Sequence, residues 1–138
     1  MGNAFVTSRR VEFRDTDAAG IAHFSVFFIW MEQAEHAALR SIDMSVMPQH
    51  DENAVSWPRV SATCDYRNPI QFEELVDIEV TVLKLGTRSV TYDFQFRSND
   101  REIAKGQITT VCCQLQNGRW CSTQIPADLR SRLEKLKT

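Results

Sequence analysis

The first residues able to do chemistry are Asp15 and Asp17, two carboxylates in the run Val11-Glu-Phe-Arg-Asp15-Thr-Asp17-Ala-Ala-Gly20-Ile-Ala-His23-Phe24. Neighbouring acids can divide roles, one hydrogen-bonded and ionised, the other tuned for proton transfer or nucleophilic attack. They can equally well do no more than cap a turn or a helix start, which is a common use of Asp. Gly20 permits a tight turn after them, and an apolar segment without Gly or Pro follows from Ser25 to Leu39. An acid would then stand beside the free N–H groups of a helix start, where negative charge is favoured. Other catalytic signatures are missing from the chain: it has no Gly-rich phosphate loop ending in Lys-Ser/Thr, no G-x-S-x-G, no H-E-x-x-H and no EF-hand pattern.

Hydrophobic periodicity identifies the elements that must hold this stretch. A strand is predicted between Ala4 and Arg14, with Val11 and Phe13 alternating with Glu12 and Arg14 near its end, followed by a loop from Asp15 to Gly20. From about Phe24 the residues Phe24, Phe27, Phe28, Met31, Ala34 and Ala38 keep helical spacing, and Val26, Ile29 and Trp30 make the first turn apolar nearly all round, which predicts a buried helix. Its second half, with Glu32, Gln33, Glu35, His36 and Arg40, reads as amphipathic. Ser41 to Asn53, interrupted by Pro48, reads as a loop or short broken helix.

Val60, Ala62, Cys64 and Tyr66 then alternate as a strand, and Pro58 near its start suggests a sheet edge. The clearest strands follow, with Val76, Ile78, Val80 and Val82 on one and Val90, Tyr92, Phe94 and Phe96 on the next, joined at Gly86. Asn99-Asp100 turns the chain into a strand from Ile103 to Leu115. Asn117-Gly118 is a type I′ hairpin signal that folds Trp120 and Cys121 back. Leu129, Leu133 and Leu136 space a short helix after Pro126, which suits a first turn. Strand, helix, about four antiparallel strands and a terminal helix make an α+β plan in which the sheet wraps the one long apolar helix. With 138 residues and no linker or repeat, residues 1–138 are expected to form a single domain.

Hydrophobic content of 43% with 25% charged residues is that of a soluble globular protein, and a formal charge of -2 offers nucleic acid no general attraction. Cys64, Cys112, Cys113 and Cys121 include no C-x-x-C pair and no His at zinc-ligand spacing, so reduced, mostly buried thiols are expected and no metal. The start Met-Gly-Asn-Ala-Phe-Val lacks the regions of a signal peptide, and Glu32, Gln33, Glu35 and His36 interrupt the only candidate membrane span. A cytoplasmic location is the expectation.

The segment Phe13-Arg-Asp-Thr-Asp17-Ala-Ala-Gly20-Ile-Ala-His23-Phe24, followed by Phe28, Trp30 and Glu32, resembles the signature of hotdog-fold acyl-CoA thioesterases of the 4-hydroxybenzoyl-CoA thioesterase type, which includes the YbgC-like proteins. It matches in the D-x-D-x-x-G pattern and in an acid fifteen positions after the second Asp. Asp65-Tyr66-Arg67-Asn68-Pro69 with Phe72-Glu73-Glu74 adds weaker support, and the order of elements agrees along nearly the whole chain.

The resemblance implies a hotdog fold, a five-stranded antiparallel sheet around a long central helix with a short C-terminal helix. It implies Asp17 as nucleophile or general base, and Phe24 as the residue whose backbone N–H polarises the thioester carbonyl. His23 stands where such proteins carry an aromatic, with the His one position later, and is expected to orient water or line the acyl pocket. Gly20, Glu32 and Trp57 are the implied substrate-binding positions around the acyl group, with Lys84, Arg88 and Ser89 around the Gly86 hairpin against the CoA phosphates. The substrate would be an acyl-CoA or acyl-carrier-protein thioester, with coenzyme A part of the substrate and no separate cofactor. The implied assembly is a homodimer with shared sites, pairing into a tetramer. Two other activities suit the same fold: binding an acyl carrier or chain without turnover, and hydratase chemistry through His23 and Glu32.

Overall fold

The computed structural model describes residues 4–46 and 54–138. The loop or broken helix expected from Ser41 to Asn53 is therefore seen only as far as Val46, and Met47 and Pro48 lie outside the described residues.

The sheet follows from the two clearest alternations. Val76, Ile78, Val80 and Val82 on β4 (Leu75–Leu85) are fully buried, and Val90, Tyr92, Phe94 and Phe96 on β5 (Ser89–Ser98) are at most 1% exposed. Ile78 pairs with Phe96, Val80 with Phe94 and Val82 with Tyr92, so the ladder has one continuous apolar face. β1 (Phe5–Arg10), β3 (Arg59–Tyr66) and β6 (Arg101–Val111) complete an antiparallel five-stranded sheet in the order β1-β4-β5-β6-β3. Gly86 N–H bonds Ser89 O at 2.8 Å to close one hairpin. Asn99 and Asp100 take φ of 48° and 64° to close the next, as a type I′ turn demands.

The strand expected from Ile103 to Leu115 breaks at Cys112, whose N–H leaves the ladder to donate to Arg88 O at 2.7 Å. The chain then forms a second sheet, β2 (Val55–Ser56), β7 (Cys113–Gln116) and β8 (Arg119–Ser122), in the order β2-β7-β8. Asn117 and Gly118, with φ of 52° and 77°, make the expected turn between β7 and β8. α2 (Ala127–Leu133) buries Leu133, with Pro126 at its N-cap rather than inside the first turn.

α1 (Val26–Ser41) lays Phe27, Trp30, Met31, Ala34, Ala38 and Leu39 on the apolar face of the sheet. Gly106 on β6 lets it come close, because a Cβ there would strike the Met31 sulfur and stand 3.0 Å from the Thr63 carbonyl oxygen. At 16 residues α1 is shorter than the long helix expected, and it begins at Val26, so Phe24 precedes it. The buried first turn is also corrected: Phe24 is 64% exposed and Ile29 54%. A helix lying on one sheet face covers only one stripe of its surface, however apolar the rest.

The N-terminal strand is corrected too. β1 stops at Arg10, and Phe13–Asp15 form a 3₁₀ turn in which Asp15 Oδ2 accepts from Glu12 N–H at 2.8 Å. This local bond competes with strand pairing and leaves Phe13, expected to alternate inward, 79% exposed.

β3 lies at the sheet edge, as Pro58 suggested, but its faces are not those of the alternation. A register shift between Arg59 and Ser61 sets Arg59, opposite Thr110, on the helix-facing row with Ala62, Cys64 and Tyr66, and leaves Val60 off it, 61% exposed. α1 meets this row only at its ends, Glu35 at Arg59 and Phe27 at Tyr66, so Ala62 and part of Tyr66 remain exposed on the inner side of the sheet.

Candidate active site

Asp17 sits in a loop that its own side chain organises. Oδ1 accepts the Ala19 N–H at 2.8 Å, the Asp17 carbonyl accepts Gly20 N–H at 3.0 Å, and Gly20 turns the chain with φ of 80°. The loop is strapped to residues 70–72, with Ala22 N–H donating to Ile70 O at 2.8 Å and Phe72 N–H to Gly20 O at 3.2 Å. Asp15 points the other way, into its turn. The two acids are thus distinct: Asp15 lines the cleft between β1 and α1, and Asp17 opens onto a different cavity.

That cavity, about 450 Å³, is lined by Asp17, Ile21, Ala22, Phe24, Phe27, Tyr66, Arg67, Asn68, Pro69 and Ile70. Phe27 packs edge-on against Tyr66, Trp30 and Phe96, with ring centres 5.1 to 5.2 Å apart, which gives it a rigid apolar floor. Tyr66 O–H donates to the Phe24 carbonyl at 2.8 Å and fixes the backbone just ahead of α1. Burial pushes the Tyr66 phenol up to about 12, so it stays a donor at neutral pH. Among the described residues no acceptor takes the Phe24 N–H, while Ser25 N–H bonds His23 Nδ1 and Val26 N–H bonds His23 O. No acidic residue occupies the first turn of α1. Asp17 and Phe24, whose N–H has no acceptor among the described residues, therefore line one cavity, while Ser25 and Val26 at the start of α1 line the cleft on the other side.

His23 is not brought to Asp17. Its ring stacks on Phe24 with centres 4.6 Å apart, Nδ1 lies 2.8 Å from Ser25 Oγ, and it lines a separate cleft of about 740 Å³ between β1 and α1, with Arg9, Arg10, Arg14 and Trp30. Glu32 is exposed on α1, 3.9 Å from Arg59 Nη2, and Trp57 is buried with no partner for its indole N–H among the described residues. Lys84, Arg88 and Ser89 lie on or beside the Gly86 hairpin, where Arg88 donates to Ser122 Oγ at 3.3 Å. This hairpin is at the other end of β4 from the Asp17 loop, roughly 33 Å away for ten steps of about 3.3 Å.

Sequence reasoning assigned no role to Tyr66 and Arg67, although the motif Asp65-Tyr66-Arg67-Asn68-Pro69 pointed to them, and it passed over Glu35 and Arg59. Glu35 is fully buried, with its carboxylate held by both Arg59 Nη atoms at 2.5 and 3.3 Å. Burial outweighs the attraction of Arg59 and pushes the Glu35 carboxyl up to about 7. Among the described residues no group of His, Cys, Asp and Glu is arranged to hold a metal ion, and no helix is long and apolar enough to cross a membrane.

Residues 11–133 match the Thioesterase-like superfamily, and the chain belongs to it, a family of thioester hydrolases acting on acyl-CoA. Among particular relatives, a 1,4-dihydroxy-2-naphthoyl-CoA hydrolase from Synechococcus sp. (strain CC9605) is 31% identical over 120 residues, which cover 83% of this chain and 80% of that one. A solved gentisyl-coenzyme A thioesterase is 29% identical with a TM-score of 0.80, covering 94% of this chain and 99% of that one. A 1,4-dihydroxy-2-naphthoyl-CoA thioesterase from Synechocystis, at 20% identity and a TM-score of 0.82 over 96% of this chain and 97% of that one, shares the fold.

Proposed function

We propose that this acyl-CoA thioesterase hydrolyses aromatic acyl-CoA thioesters, with Asp17 as the reacting carboxylate and the Phe24 N–H at the start of α1 polarising the carbonyl. The observation that carries the reading is the shared cavity: the Asp17 carboxylate, one oxygen tied to Ala19 N–H, opens onto the same apolar space as Phe24 and Tyr66. Its aromatic walls suit a flat ring, and the names of the relatives, hydrolases of naphthoyl and gentisyl thioesters, favour that class.

In the reaction the carbonyl oxygen takes up negative charge beside the Phe24 N–H and the helix dipole. Asp17 Oδ2 either attacks the acyl carbon, giving an anhydride that water opens, or draws a proton from the water that attacks. In the first route water opens the anhydride at the Asp17 carboxyl carbon, so the product acid leaves with an Asp17 oxygen that water replaces; in the second, water supplies the acid's oxygen directly; in both, the C–S bond breaks and CoA leaves as thiolate. A thiol of pKa about 8.5 needs no strong general acid to depart, so the missing Ser-His-Asp set is no obstacle.

The active unit in this reading is a homodimer formed by antiparallel pairing of two β3 edges. An exposed edge with Val60, Ala62 and Tyr66 uncovered is a surface that asks for pairing. The two-fold axis would bring the partner's Gly86 hairpin, with Lys84, Arg88 and Ser89, toward the Asp17 end of this chain, where a CoA phosphate could meet it.

The test is a panel of aromatic and aliphatic acyl-CoAs followed by release of free thiol. Wild-type protein should prefer the aromatic members, and Asp17→Asn should lose at least a hundredfold in kcat, the usual scale of a reacting carboxylate. Undiminished turnover in Asp17→Asn would remove Asp17 from the chemistry. Measurable acyl-CoA affinity without thiol release from any member would favour a binding domain instead.

A further inference from the structure

The cleft between β1 and α1 takes no part in the reaction as described, yet its walls carry charge that the fold leaves unused. Arg9 stands on the helix-facing row of β1, directly opposite the fully buried Val76, where an aliphatic side chain would serve packing better. Its Nε is buried with no hydrogen-bond partner among the described residues, and an unmet donor on a charged group is costly. Arg10 gives Nη1 to the Glu73 carbonyl at 2.8 Å, and Arg14 is exposed on the 3₁₀ turn. Among the described residues the ion pairs belong to Arg59 and Arg101, so none of these three arginines has a carboxylate partner there.

The two acids on the same lining are already engaged. The Glu12 side chain accepts from the Asp15 backbone, and Asp15 Oδ2 accepts from the Glu12 N–H at 2.8 Å, so both are held within their own turn. The positive end of α1 is open as well, since no side chain caps it and its first turn holds no acid. His23 adds a donor, because Nδ1 accepts from the Ser25 N–H and the neutral ring then carries its proton on Nε2. Donors from β1, from the turn and from the start of α1 thus face one space.

Size and lining narrow the occupant. About 740 Å³ is the scale of a small-molecule site, far beyond the needs of a single inorganic ion, and on the α1 wall Val26 and the half-exposed Ile29 are apolar. Arginine forks and a helix start are the usual holders of a phosphate group. The lining shares no residue with the Asp17 cavity, and β1 is the sheet edge opposite β3, so pairing through β3 leaves the cleft open.

We propose that this cleft is a second binding site, for a phosphate ester of nucleotide size, with the phosphate held by Arg9 and Arg14 ahead of α1 and the organic part against Val26 and Ile29. The site does not depend on the thioesterase reading.

Calorimetric titration of the full chain with AMP, phenyl phosphate and inorganic phosphate at one ionic strength is the test. At least one ester should bind once per chain and more tightly than inorganic phosphate. Arg9→Met and Arg14→Met should each weaken that ester roughly tenfold or more, the scale of a charged hydrogen bond, while Arg88→Met at the Gly86 hairpin leaves it within about twofold. Methionine keeps aliphatic bulk on the inner row of β1; should Arg9→Met still not fold, the exposed Arg14→Met carries the same comparison. Inorganic phosphate binding as tightly as both esters would overturn the assignment of an ester. No saturable binding of any probe in the millimolar range would overturn the site, and so would a loss in Arg88→Met without one in the Arg9 and Arg14 variants. Ester binding that needs Arg9 and Arg14 in a chain without thioesterase activity would leave the site standing and bring down only the thioesterase reading.

Discussion

Glu35 offers the sharpest physical test of the packing described above. Its carboxyl is raised from 4.5 to about 7 in the folded protein, first by burial, against the pull of Arg59, with Glu32 adding a smaller upward push. The folded state therefore holds this proton more tightly than the unfolded chain does. The associated stability is fully present below about pH 4.5, is lost as pH rises from there to about 7, and is flat above. The shift corresponds to about 3 kcal/mol, each pKa unit being about 1.4 kcal/mol. In a chain of 138 residues that is a fall in Tm of roughly 10 °C. His36, whose imidazolium is disfavoured first by burial, runs the opposite way and loses stability as pH falls below its ordinary 6.5. The measurement is therefore a difference: urea unfolding of wild-type and Glu35→Gln protein from pH 4.5 to 8, at one fixed protein concentration because association adds to stability. Wild type should lose about 3 kcal/mol more than Glu35→Gln across that range. Parallel pH curves for the two proteins would refute the claim that desolvation wins over the ion pair at this site.

Other outcomes follow from the same structure. Gly106→Ala should destabilise by about 1 to 3 kcal/mol in denaturant unfolding, because the new methyl meets Met31 and the Thr63 carbonyl, and Met31→Ala in the same chain should return part of it. Ala62→Glu on the open row of β3 should yield a monomer by light scattering with little activity, while a native-like circular dichroism spectrum separates this from misfolding. Arg88→Ala should raise KM for acyl-CoA several-fold and leave KM for the matching acyl-N-acetylcysteamine thioester, which has no phosphates, unchanged. A single turnover in heavy-oxygen water should label Asp17 if it is the nucleophile and only the product acid if it activates water.

The sheet was the most legible part of the sequence, because β4 and β5 bury one face each and their alternation is the direct imprint of that burial. The Asn99-Asp100 and Asn117-Gly118 turns were legible for a different reason, since positive φ restricts the residues that can stand there. Where local hydrogen bonds compete with the pattern, reading failed. Val11 to Arg14 alternates well enough for a strand, yet the bond from Glu12 N–H to the Asp15 carboxylate closes a 3₁₀ turn that hydrophobicity does not encode. The helix start was misplaced by two residues because Phe24 continues the apolar spacing while its carbonyl is held by Tyr66, 42 positions away. The loop that carries Asp17 could be located early because its motif is compact. Arg59 and Glu35 could not, since one is placed by a register shift and the other is an ordinary helix acid until a partner from a distant strand buries it.

Gly106 and Met31 are separated along the chain but behave as one unit of descent. A side chain at position 106 needs the space that the Met31 thioether fills, so a larger residue there costs less once position 31 has shortened. The reverse order leaves a cavity for a generation and the forward order leaves a clash. The two routes between the same end states are thus unequal.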